Sequence, residues 1–290
     1  MKQITKTFFK NNFPLRAKNS YKNLNGKVFI AAGSADMPGA AVLCARAAYR
    51  AGAGFVTIAA PQALYSALAA AAPEALVLNL PCKKYLDAKA LNFILTHIKN
   101  NPQDVLLAGP GLGKGAAVSL KLINQSNLPA VIDADALNYL AAQGLSKLKQ
   151  TAPHILTPHT GEIKRLLGKN KIDPQTAAAQ LAAVTNAAAL LKGPQTKVSF
   201  KGITYANTTG NEGLAKAGSG DALAGIIAGV WAQLIRRETK IPRNFLAALL
   251  GVYLHGAAAD LAVKEKTATA LLATDIIETL PKTLGKIYRI

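Results

Sequence analysis

Two kinds of block alternate along the chain. Short, almost wholly apolar runs occupy 27–32, 55–59, 75–80, 105–108, 130–133 and 154–157. Each stops at or close to Gly, Pro, Asp or His. Between them lie longer stretches, such as 37–51, 87–99 and 114–125, in which apolar positions recur every three or four residues. The longer stretches read as amphipathic helices. Strands buried on both faces lose their alternation and look uniformly apolar, as the short runs do. The pattern therefore predicts an α/β fold, a mostly parallel central sheet flanked by helices on both faces. After residue 185 the rhythm changes. Runs 187–191, 198–200 and 203–206 are close together, and Lys201-Gly202 suits a turn between the last two. A late antiparallel hairpin is expected there. Two long helices follow, over 218–237 and from Pro242 to about 263. With no linker, repeat or low-complexity tract, residues 16–290 read as a single domain and residues 1–15 as a basic lead.

In open α/β sheets ligands bind beyond the carboxyl ends of the strands. The glycines and polar residues of this chain collect at those ends: Gly33-Ser34, Gly109-Pro110-Gly111, Asp133 and Asp135, His159, and Lys192-Gly193. The strongest motif is Ala217-Gly218-Ser219-Gly220-Asp221 at the start of a helix. Glycines let backbone N–H groups converge, and a helix N-terminus adds positive partial charge, so the turn suits a phosphate. Asp221, on the first helical turn, is placed to take a proton from a hydroxyl beside that phosphate. The same residues also suit an ordinary N-cap. Lys192 can meet phosphate as a point charge and Thr196 can donate a hydroxyl, although a plain turn has the same composition. Gly109 to Gly113 resembles a phosphate cradle in kind, or a structural turn. It is neither a Walker A loop nor GxGxxG. His159 is a candidate substrate contact, and Glu162 either caps the helix it begins or organises water around a metal. His97, His154 and His255 read as structural.

Composition narrows the choice. The net charge is +19, spread along the chain. Such a surface draws anions. With only 6% aromatic residues and no Arg-rich helix, anionic small molecules explain it better than nucleic acid. The first 35 residues hold seven basic side chains and no acidic one, but no long apolar run, so a secretory signal is not expected. The apolar stretch 247–263 is broken by His255 and Asp260 and reads as a buried helix, not a membrane span. Cys44 and Cys82 lack partners at metal-ligand spacing and read as small core residues in a reducing compartment. No Ser/His/Asp arrangement, HExxH or cysteine set supports a hydrolase or zinc reading.

Taken in order, Gly33-Ser34, Pro38-Gly39-Ala40-Ala41, Gly109-Pro110-Gly111-Leu112-Gly113, Asp133-Ala134-Asp135-Ala136-Leu137-Asn138, Leu156-Thr157-Pro158-His159-Thr160-Gly161-Glu162, Lys192-Gly193 and Gly218-Ser219-Gly220-Asp221 resemble the ADP/ATP-dependent NAD(P)H-hydrate dehydratases of the ribokinase-like superfold. The resemblance covers the chain from about Arg16 onward. It departs at Met37, Thr160 and Glu212, where many relatives have tyrosine, proline and proline. It implies repair of (S)-NADH-hydrate and (S)-NADPH-hydrate to NAD(P)H. The ring hydroxyl is phosphorylated from ADP or ATP, and phosphate is then eliminated. By carry-over, Asp221 is catalytic. Lys192, Gly193, Pro194, Gln195, Thr196, Gly218, Ser219 and Gly220 bind the nucleotide. Ala40, Ala41, Gly111, His159 and Asp221 contact the hydrate. Mg²⁺ is expected with the nucleotide phosphates rather than in a dedicated cage, with Glu162 reaching it through water. The resemblance also implies a cytoplasmic homotetramer, no epimerase domain, a separate NAD(P)H-hydrate epimerase acting alongside, and no nucleic-acid or membrane partner. A vitamin-precursor kinase of the same superfold is the alternative, and a non-enzymatic anion or nucleic-acid binder the lesser one.

Overall fold

The computed structural model describes residues 1–288; Arg289 and Ile290, the end of the expected domain, lie outside the described residues. The strands are β1 (Lys2–Ile4), β2 (Lys27–Ala31), β3 (Phe55–Pro61), β4 (Leu76–Leu80), β5 (Val105–Ala108), β6 (Ala130–Ile132), β7 (His154–Leu156), β8 (Ala188–Leu191), β9 (Lys197–Phe200) and β10 (Ile203–Asn207). They form one sheet in the order β1-β10-β9-β8-β7-β6-β5-β2-β3-β4. Every adjacent pair is parallel except those of β9, which runs antiparallel to both β8 and β10. The predicted parallel sheet and late hairpin are therefore present, with most strand ends within a residue of those expected.

The helices are α1 (Lys6–Asn12), α2 (Pro38–Arg50), α3 (Tyr65–Ala71), α4 (Ala88–Asn100), α5 (Ala116–Ser126), α6 (Ala134–Gln143), α7 (Thr160–Leu167), α8 (Ala177–Thr185), α9 (Ser219–Leu234), α10 (Arg243–Lys266) and α11 (Ala273–Tyr288). They cover both faces. Val28 and Ile30 enter one core with α2, α9 and α10, whereas Phe29 and Ala31 enter a second core with α4, α5 and α6. This two-sided burial is why β2 reads as an unbroken apolar run. The alanine-rich composition has a packing consequence. A Cβ added to Gly225 would stand 2.3 Å from the Cys44 carbonyl oxygen, and one on Gly229 2.4 Å from that of Ala48. Small residues let α2 and α9 approach backbone to backbone, which brings their N-termini to the same edge of the sheet.

Residues 1–15, read as a basic lead, contain secondary structure. β1 pairs in parallel with β10, and Thr5 caps α1 by accepting from the Phe8 N–H. Ile4 and Phe9 are fully buried, and Phe9 stacks on Tyr253 at 5.0 Å between ring centroids. A three-residue strand and a seven-residue helix are too short to print a periodicity, and the flanking lysines dominate the local pattern. In α10, 83% of the most apolar stretch is buried, as a core helix requires.

Candidate active site

α9 opens at Gly218, whose φ of 85° is left-handed. Glycine adopts this conformation without strain, and any side chain there would also meet Leu43 Cδ1 at 2.7 Å. The residues just before it, Ala215, Lys216 and Ala217, are exposed. The turn thus brings the N-terminus of a long helix to the surface, the Ser219 N–H donating back to the Lys216 carbonyl at 3.3 Å. Ser219 is held from below: its hydroxyl lies 3.3 Å from His255 Nε2 on α10. His255 is buried, and burial lowers its pKa to about 4, so it is neutral at pH 7. The sequence pattern gives this contact no signal, because it joins two helices across 36 residues.

Lys192 leaves the end of β8 beside this turn. Its N–H donates to the Pro158 carbonyl at 2.9 Å, and a single parallel bridge ties it to His159. Its ammonium lies 2.7 Å from Asp133 Oδ1 and 3.9 Å from Glu162 Oε2. A Cβ added to Gly220 would sit 3.4 Å from that ammonium and 3.9 Å from Asp133 Oδ2. The glycine turn, Lys192 and Asp133 therefore adjoin one another. Gly193, Pro194 and Gln195 project beyond them and are exposed, while Thr196 Oγ1 closes the loop onto the Gly193 carbonyl at 3.1 Å.

His159 is the N-cap of α7. Its Nδ1 accepts from the Gly161 N–H at 2.9 Å, while its own N–H donates to Glu162 Oε2 at 2.7 Å. With Nδ1 accepting, the network assigns the neutral ring's proton to Nε2, which lies 3.4 Å from Glu162 Oε1. Half of the His159 side chain faces solvent, whereas Glu162 is buried. Glu162 is thus the helix cap foreseen for it, and it also faces Lys192.

The other half of the site is built from backbone and small side chains. The Gly33 N–H donates to the Pro110 carbonyl at 2.8 Å, and the Gly113 N–H to Asp135 Oδ2 at 2.8 Å. Gly111, with φ 64°, lies so close to α2 that an added Cβ would stand 2.8 Å from Ala40 Cβ. Ala40 and Gly111, both hydrate candidates, are therefore neighbours. Ala41 is fully buried beneath Gly33.

Electrostatics single out Asp221. Burial, then the nearby Asp133 carboxylate, raise its pKa to about 6; Lys192 pulls it down and Asp135 adds to the rise. Burial also raises Glu162, against Lys192. For Lys192, burial alone would lower the pKa, but Asp133 and Glu162 outweigh it and the net shift is upward. The arrangement joins a helix end suited to an anion, a fixed ammonium and a carboxylate poised to exchange a proton near neutrality. Among the described residues, no three or more His, Cys, Asp or Glu side chains converge as a metal cage. Sequence reasoning named Asp133 and Asp135 as a strand-end motif but gave neither a role. The Asp133–Lys192 pair spans 59 residues, which no local pattern reveals.

The family model for NAD(P)H-hydrate dehydratase matches residues 28–282. A bifunctional NAD(P)H-hydrate repair enzyme of Moorella thermoacetica is 39% identical over 97% of this chain, which spans 53% of that relative's length. The chain spans about half the length of the first several curated relatives it matches. The ADP-dependent (S)-NAD(P)H-hydrate dehydratase of Bacillus subtilis is 35% identical, with 93% of this chain and 92% of that protein covered. The solved structure of the ADP/ATP-dependent NAD(P)H-hydrate dehydratase from B. subtilis, co-crystallised with ATP and Mg²⁺, superposes with a TM-score of 0.83 at 29% identity. That superposition covers 99% of this chain and 98% of the other, so the ribokinase-like sheet extends over essentially the whole chain. Motif order, sheet topology and these likenesses agree, and this chain belongs to the NAD(P)H-hydrate dehydratase family.

Proposed function

We propose that this chain restores NADH and NADPH from their S hydrates, consuming ADP or ATP. The observation that carries the reading is the position of Asp221. It sits in the first turn of α9, with the glycine turn before it and Lys192 beside that turn. Its pKa of about 6 leaves it ionised at pH 7 yet basic enough to accept a proton.

Hydroxide is a poor leaving group and phosphate a good one. In this reading the Asp221 carboxylate takes the proton of the ring hydroxyl. The hydroxyl oxygen then bonds to the terminal phosphorus of the nucleotide, whose bond to the bridging oxygen breaks, releasing AMP from ADP or ADP from ATP. The N-terminal amides of α9 and the Lys192 ammonium hold the transferring group, so positioning and charge stabilisation supply the rate. Loss of phosphate and of a neighbouring ring proton then regenerates the double bond. Ala40, Gly111 and His159 line the hydrate side, the small residues leaving room for a bulky dinucleotide. The residues fit a phosphate: the Lys192 ammonium stands beside Gly220, where an added Cβ would lie 3.4 Å from it. Mg²⁺ would bind through the nucleotide's phosphates, with Glu162 reached through water, and would shield their charge. A homotetramer acting in the cytoplasm belongs to the same reading.

The test is to incubate the protein with S-NADH-hydrate and ADP or ATP and to follow the absorbance of restored NADH. Hydroxyethylthiazole and hydroxymethylpyrimidine are offered in parallel. NADH formation with no phosphorylated vitamin precursor is expected; the reverse would make the chain a kinase.

A further inference from the structure

The β6–α6 turn is the segment whose side chains reach both halves of the site. Ala134, which opens α6 between Asp133 and Asp135, has φ 49°, a left-handed conformation strained for any residue with a Cβ. Its neighbours serve different partners. Asp133 Oδ1 lies 2.7 Å from the Lys192 ammonium, and Asp135 Oδ2 accepts the Gly113 N–H at 2.8 Å. Asp133 is 1% exposed, so this ion pair is shielded from water. Glu162, the other carboxylate near Lys192, stands off at 3.9 Å, so Asp133 chiefly decides where the ammonium rests. Gly113 ends the loop in which Gly111 abuts Ala40. Fixing its N–H therefore fixes the floor of the hydrate half.

We propose that Asp133 and Asp135 are positioning residues with divided duties: Asp133 holds Lys192 for the nucleotide phosphate, and Asp135 holds the Gly109 to Gly113 loop for the hydrate. Neither side chain needs to touch a substrate. The left-handed Ala134 between them lets one short turn serve two partners that lie beyond different strands, Lys192 after β8 and Gly113 after β5. The assignment of nucleotide to Lys192 and hydrate to Gly111 rests on the function proposed above.

The test is a pair of variants, Asp133→Asn and Asp135→Asn, read in two ways. ADP affinity is measured by calorimetric titration, which requires no turnover. The KM for S-NADH-hydrate is measured at saturating ADP. Misplacing a binding group costs on the order of tenfold or more. Asp133→Asn is expected to weaken ADP binding about tenfold while the hydrate KM stays within about twofold. Asp135→Asn is expected to do the opposite. In a Lys192→Met background, Asp133→Asn should add less than about twofold to the loss of ADP affinity, because both changes remove one interaction. Asp133→Glu, which keeps the charge but displaces it by a methylene, covers the case in which the asparagine variant does not fold. Equal effects on both substrates, additive losses with Lys192→Met, or unchanged constants in variants that melt as wild type does would each overturn the proposal. A wild-type protein that binds ADP but restores no NADH would overturn the function and leave the Asp133 arm standing.

Discussion

The half of the candidate site proposed for nucleotide and the half proposed for hydrate are made of different materials. The first lies at the ends of β6, β7 and β8 and the head of α9. It gathers Asp133, Glu162, Lys192 and Asp221, the first two buried and Lys192 mostly so. The second lies at the ends of β2 and β5 and the head of α2. Apart from His159 at the end of β7, it consists of Gly33, Ala40 and Gly111, braced from outside by Asp135. Charge development explains the contrast. A phosphoryl group in transfer needs fixed donors and a base, so its side of the cleft carries costly buried charges. A large dinucleotide chiefly needs room, and glycine and alanine provide it without polar atoms to satisfy. The burial that makes the charged half catalytically useful also raises the Asp221 pKa.

The contrast can be broken from the charged side first. Asp221→Asn should lower turnover by roughly 10³- to 10⁴-fold while ADP binding and fold persist. Near-normal turnover would remove Asp221 as the base. The same variant should be more stable than wild type. The folded state binds the Asp221 proton more tightly than the unfolded chain, whose carboxyl titrates near 3.8 against about 6 when folded. Stability therefore falls as pH rises from about 4 to about 6 and remains lower above it. A shift of about two units puts the upper bound near 3 kcal/mol at neutral pH. A melting temperature at pH 7 at or below that of wild type would contradict this.

Lys192→Ala comes next. Losing the ammonium should raise the KM for ADP on the order of a hundredfold with little change in that for the hydrate. It should also destabilise the fold by about 3 kcal/mol, because Asp133 is left buried without its partner. An unchanged KM for ADP would move the nucleotide site elsewhere. On the other side, Gly111→Ala forces a Cβ to within 2.8 Å of Ala40 Cβ at a left-handed φ. The KM for the hydrate should rise about tenfold while ADP affinity holds, measured by the same titration. The smallest effect is the pH profile. The activity limb set by the base should rise through about pH 6 as Asp221 loses its proton. In Asp133→Asn it should move to lower pH, because a neighbouring negative charge has gone.

Sequence made the strand-end motifs visible because each is local. A buried strand, a glycine or carboxylate at its end, and a helix start fall within a dozen residues, and parallel order does the rest. Asp221, Lys192, Gly111 and His159 all stand in motifs of this kind. Long-range pairings were not visible. Asp133 meets Lys192 across 59 residues and Ser219 meets His255 across 36, and both meetings depend on how separate helices and strands register. Ala41 shows burial that its motif does not signal. Its place in a motif marked it for the hydrate, yet the close packing of α2 against Gly33 leaves it no exposed surface. β1 and α1 escaped notice because their apolar content is a few residues, chiefly Ile4 and Phe9, set among lysines.

The central claim is that Asp221 starts an elimination driven by phosphoryl transfer, not a transfer that ends at a stable phosphate ester. The direct measurement is a product balance with S-NADH-hydrate and ADP, counting NADH, AMP and inorganic phosphate in the same reaction. The account predicts that all three appear in equal amounts and that none forms when nucleotide is left out. NADH released without consumption of ADP, or AMP accumulating with a phosphorylated hydrate that does not decay, would contradict it.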